Sequence, residues 1–102
     1  MKTYRGKKDD TQVFVYQDDA LTYPLPQRQN LMNHSPDGLS WGYMGSGCAQ
    51  LALALLADYT GDDEVALKNY MLFKNDVIAM RNINSDFSMS EEEIAEWSIG
   101  IE

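Results

Sequence analysis

Apolar and polar positions follow two different periods along this chain, and the change of period divides it. From Thr11 to Tyr16 and from Ala20 to Tyr23, Val, Phe and Tyr dominate on either side of the polar turn Gln17-Asp18-Asp19. That pattern predicts two antiparallel strands joined as a hairpin. On the first arm Val13 and Val15 face one side and Phe14 and Tyr16 the other, because successive strand side chains alternate. Thr3 to Lys7 adds an edge strand. Pro24 and Pro26 then stop the sheet, since proline cannot donate to a ladder and restricts the residue before it. From Gln27 to Gly47 the chain reads as a long loop, in which His34-Ser35-Pro36-Asp37-Gly38 suits a turn with proline at its second position. A short strand is expected at Leu39 to Tyr43.

The helical period takes over at Gln50. Gln50 to Ala57 is apolar nearly all round, the pattern of a helix buried at the centre of a fold, with bounds at Cys48 and Tyr59. Gly61 supplies a left-handed cap, and Asp62 or Asp63 caps a second helix running to about Asn82. Its apolar face is Ala66, Tyr70, Phe73, Val77 and Met80, with Lys68 and Asn75 opposite. Ser90, followed by Glu91, Glu92 and Glu93, caps a short last helix that turns Ile94 and Trp97 inward and Glu91, Glu92 and Glu96 to water. These elements predict an α+β fold. A small antiparallel sheet of three or four strands is packed by two or three helices, one of them the buried core helix. The 102 residues leave room for one core, hence a single domain over 1–102.

Composition narrows the setting. Apolar residues at 44% and charged residues at 24% are enough to build a core without help from crosslinks. The N-terminus has no apolar stretch behind its positive charges, and no run of 18 apolar residues exists, so neither export nor membrane contact is expected. A lone Cys48 cannot form a disulfide framework, which places the chain in the cytoplasm. With one Cys and one His, no zinc site of several such ligands can form; a metal held by carboxylates alone stays open, but neither metal nor cofactor is assigned. The net charge of −8 is uneven: residues 1–30 hold five basic and four acidic groups, residues 31–102 three and twelve. Such a surface repels phosphate backbones, so direct nucleic-acid binding is not expected. The charge serves either solubility or the mimicry of a polyanion.

The chemistry concentrates at Gly42-Tyr43-Met44-Gly45-Ser46-Gly47-Cys48, where a glycine-rich turn enters a helix N-terminus. Free N–H groups and the helix dipole favour an anion there, and glycines let it approach closely. Alternatively the glycines serve only the turn, with Ser46 or Gly47 capping the helix. On the loop before it, Arg28, Asn33, His34, Ser35, Trp41 and Tyr43 combine a cation, an amide, a hydroxyl and aromatic rings, which suits a nucleotide-type ligand. The same rings would equally serve to cover the core helix. The candidate binding set is therefore Arg28, His34, Ser35, Trp41, Tyr43, Gly45, Ser46 and Gly47. Cys48 and His34 could form a nucleophile pair, but a buried cysteine and a hydrogen-bonded histidine explain them as well, and no catalytic residue is assigned. The pairs Asp9-Asp10, Asp18-Asp19 and Asp62-Asp63 read as turns.

The run from His34 to Leu56, HSPDGLSWGYMGSGCAQLALALL, with the Tyr4-Arg5-Gly6 start, Tyr70 to Lys74 and the tail around Trp97, resembles an uncharacterised small domain family of bacteria, phages and mobile elements. No function comes with the resemblance. The family often has proline where this chain has Cys48, which argues against a thiol nucleophile. In size and acidity the chain also resembles phage proteins that antagonise host defence. Two non-enzymatic expectations follow: capture of an anionic or nucleotide-type small molecule at the glycine-rich turn, or docking of the acidic surface on a host protein.

Overall fold

A computed structural model describes residues 1–100. Four strands form one antiparallel sheet: β1 (Lys2–Gly6), β2 (Val13–Gln17), β3 (Ala20–Pro24) and β4 (Phe87–Ser90), in the order β3-β2-β1-β4. Three helices accompany it, α1 (Ser46–Thr60), α2 (Asp63–Phe73) and α3 (Glu91–Ile99), and a single π-helical turn (Lys74–Ile78) extends α2. The fold is α+β, as the alternating and helical patterns require.

The β2–β3 hairpin closes through Asp18 and Asp19, both at positive φ (51° and 68°), the twist that two-residue hairpin turns demand. Val13 and Val15 are buried on the inner face, while Phe14 and Tyr16 are half-buried on the outer one. β1 is not an edge strand. It lies inside the sheet, paired on one side with β2 and on the other with β4. The strand at Phe87–Ser90 is not foreseen by composition, because two of its four residues are serine and it runs straight into a helix cap. Its inward positions, Phe87 and Met89, are nevertheless both buried.

The expected strand at Leu39 to Tyr43 does not form. Leu39 and Trp41 are buried in alternation, but the backbone bonds go to three different places. The Leu39 N–H donates to Thr11 O, Ser40 N–H to Gly47 O and Gly42 N–H to Ile78 O, so there is no ladder.

α1 is buried from Gly47 to Ala57, between the inner face of the sheet and α2, which explains its lack of a polar face. It ends at Gly61, in the left-handed conformation, whose N–H closes on Ala57 O. Asp62 caps α2, accepting from the Glu64 and Val65 N–H groups. α2 does not continue to Asn82. The Ala79 N–H reaches back five residues to Lys74 O, at 2.9 Å. That wider turn absorbs one extra residue and shifts the inward face. Ile78 is fully buried as a result, and Met80, expected on the apolar face, is 77% exposed. Ser90 and Glu93 form a reciprocal capping box at the start of α3, and Trp97 packs on Phe73 with ring centres 4.8 Å apart.

Candidate functional site

The glycine-rich turn opens onto a groove of about 480 Å³, bounded by the loop before α1, the first turn of α1 and the β1–β2 connection. Five of the predicted residues line it: Ser35, Trp41, Tyr43, Ser46 and Gly47. Trp41 forms a buried wall. Its indole N–H donates to Ser85 O at 3.0 Å, and its ring lies 5.3 Å from that of Phe87. Tyr43 is 43% exposed, and its ring lies against Gly45, where any Cβ would strike it. The chain can turn there because Gly42 sits at φ +85° with the Ile83 backbone against it, a place no side chain could occupy.

Gly45 caps α1 without a side chain to offer, and the first bond of the helix is Ala49 N–H to Gly45 O at 3.2 Å. Among the described residues no acceptor takes the Ser46 and Gly47 N–H groups. The groove therefore has an open helix end with a partial positive charge of about half a unit. Against it stand three carboxylates, Asp9, Asp10 and Asp37, and no lysine or arginine lines the groove. Three full negative charges outweigh the helix end, so the groove as a whole favours donors and cations.

Arg28 and His34 lie elsewhere, each fastened inside the protein. Arg28 adopts a left-handed φ of 58° and pairs with Asp63 in the first turn of α2, at 2.8 Å. His34 Nε2 is 2.6 Å from the Tyr70 hydroxyl. What organises this part of the loop is Gln50, a fully buried polar residue on α1. Its Oε1 accepts from the His34 and Ser35 N–H groups at 2.8 and 3.2 Å, and its Nε2 donates to Gln27 O at 2.6 Å. Three of the four hydrogen bonds its amide can make hold the loop against the helix. Cys48 is fully buried in the core, and burial raises its thiol above the ordinary range, against smaller opposing bonds from the Tyr43 and Gly45 backbone. A raised, inaccessible thiol is a poor nucleophile, and no bond joins it to His34 among the described residues.

A second polar cluster lies at the other end of α1. Asp58 accepts from the Tyr4 and Tyr23 hydroxyls at 2.7 and 2.6 Å and pairs with Lys2 at 3.4 Å. Burial first, then the neighbouring carboxylate, pushes the Tyr4 and Tyr23 phenols up. Burial pulls the Lys2 ammonium down, yet Asp58 and Tyr23 outweigh it, and the net shift is upward. The cluster clasps β1 and β3 to α1.

Sequence reasoning missed Gln50, read only as the first residue of an apolar helix, and Asp9, Asp10 and Asp37, read as turn residues. The first had a signal, a lone amide at the head of an otherwise apolar run. The aspartates had none, because their convergence depends on the β1–β2 connection meeting the loop in space. Among the described residues no group of three or more His, Cys, Asp or Glu is placed to hold a metal ion, and no helix is long and apolar enough to cross a membrane. No curated protein and no solved structure matches the chain. Its residues 4–100 match the model of a family of unknown function (DUF6166), spanning both the groove and the core helix, and the chain belongs to that family.

Proposed function

We propose that this domain is a non-enzymatic binding protein whose groove at the start of α1 receives a basic segment of a partner protein. The observation that carries this reading is the groove's charge: Asp9, Asp10 and Asp37 line it with no cation among them. Exposed apolar side chains adjoin them. Tyr43 and Ile83 line the groove at 43% and 50% exposure, and Met44 and Met80, one and three residues from them along the chain, are exposed at 64% and 77%. An apolar patch rimmed by charge of one sign is the surface of a protein docking site, and methionines there adapt to varied partners. The partner is a host protein and the setting cytoplasmic counter-defence by a phage or mobile element, by analogy with other small acidic proteins.

A second reading rests on the unpartnered Ser46 and Gly47 N–H groups, which would hold the anionic group of a nucleotide-type ligand. Amide-resolved NMR titration at about 150 mM salt, where charges are screened beyond roughly 8 Å, separates the two. A short Lys- and Leu-containing peptide is expected to move the amides of residues 9–11 and 35–47. The triple change Asp9→Asn, Asp10→Asn, Asp37→Asn is expected to abolish those shifts. ATP or inorganic phosphate moving the Ser46 and Gly47 amides, with the peptide silent, would replace the first reading by the second.

A further inference from the structure

The sheet has helices on one face only. On the other, the pleat sets Arg5 of β1 beside Phe14 and Tyr16 of β2, and β3 brings Leu21 opposite Tyr16 and Pro24 opposite Phe14. Leu21 stands 60% exposed on an edge strand. Beside it is a hollow of about 400 Å³, floored by Phe14 and Tyr16, with the Arg5 guanidinium 4.5 Å above the Tyr16 ring. The charged groups lining this hollow are Arg5 and Lys7 on one side of the balance and Asp10 and Asp86 on the other.

Two cations and two anions line the apolar centre, with Arg5 also paired to Asp19 of its own chain, so the patch is far closer to neutral than the molecule as a whole, whose net charge is −8. We infer that a second copy of this chain docks here, outer sheet face to outer sheet face about a two-fold axis. An interface of that symmetry uses one patch twice, so the patch must complement itself in charge and in shape. Here Lys7 can meet the partner's Asp86, and the exposed Leu21 borders a hollow of the same face. Over the acidic remainder of the surface two copies would meet like charge, which opposes association. Sheets stacked face to face need only about 10 Å between them, a distance that Leu21, Phe14 and Tyr16 fill.

Sedimentation of the full chain from about 10 μM to about 1 mM covers the range expected for an interface below the standard ~800 Å² per partner. The mass is expected to double with concentration. Leu21→Glu places a charge on an exposed side chain, so its circular dichroism should match the unaltered chain while association weakens at least about tenfold. Lys7→Glu and Asp86→Lys are each expected to associate less by themselves and to recover as an equal mixture, because a reversed anion then meets a reversed cation. A chain that stays monomeric throughout would overturn the inference. So would a dimer indifferent to Leu21→Glu, or a mixture that recovers nothing. Leu21 lies outside the groove before α1, so loss of the dimer with peptide binding intact distinguishes this surface from that one.

Discussion

Two stretches of the same long loop are built in opposite ways. Residues 27–35 are fastened internally at Arg28, His34 and the backbone between: Gln50 takes three backbone groups, Tyr70 meets His34, and Asp63 holds Arg28. In residues 37–47 the chain is held instead by the burial of Leu39 and Trp41 and by close approaches at glycine, and it leaves backbone donors and the Asp37 carboxylate facing a groove. The difference teaches that residue types which look functional in a sequence divide by what they are bonded to. A histidine and an arginine can be fasteners, while plain turn aspartates form the surface that meets a ligand.

The strongest way to break the comparison is to remove the fastener. Gln50→Ala leaves the His34 and Ser35 N–H groups and the Gln27 carbonyl unpaired, at about 1–3 kcal/mol per buried group. A total loss near 3 kcal/mol lowers the melting temperature by roughly 12 °C or more in a chain of this size. Thermal unfolding measures it directly, and a drop of only a degree or two would mean that water or rearrangement satisfies those groups. Tyr70→Phe removes one hydroxyl from His34 and is expected to cost about 1 kcal/mol, the net worth of a single bond, read as a shift in the urea midpoint. The smallest effect belongs to the open stretch. Ser46 makes no capping bond, so Ser46→Ala should change stability by less than about 0.5 kcal/mol. A loss above 1 kcal/mol would place Ser46 among the fasteners.

The sequence made the hairpin, the core helix, the Gly61 and Asp62 boundary and the Ser90 cap legible, because each rests on local rules: alternation, turn chemistry, capping. What it hid depended on distant partners. β1 reads as an edge strand until Phe87–Ser90 arrives from the far end of the chain. The alternation of Leu39 and Trp41 imitates a strand, although only burial is alternating there. The end of α2 moved because a π-helical turn adds a residue to the ladder, which no propensity announces. At the site, Ser35, Trp41, Tyr43, Ser46 and Gly47 were found from residue type and proximity in sequence. Of the three aspartates that set its sign, Asp9 and Asp10 came from the β1–β2 connection.

The position of β1 also bears on the order of folding. Its partners on one side follow within a few residues, but on the other side it pairs with residues 87–90, so Gly6 must wait for Phe87 and Thr3 for Ser90. Contacts so far apart in sequence close late, since the loop between them has to be ordered first. Until then the three strands already made present an unpaired edge along Lys2–Gly6, the kind of edge on which chains join one another. That temporary edge carries Lys2 and Arg5, and Lys7 and Lys8 follow directly. Charges of this sign discourage pairing with another strand, so the basic cluster at the start of an acidic protein guards the nascent chain for the interval before β4 takes its place.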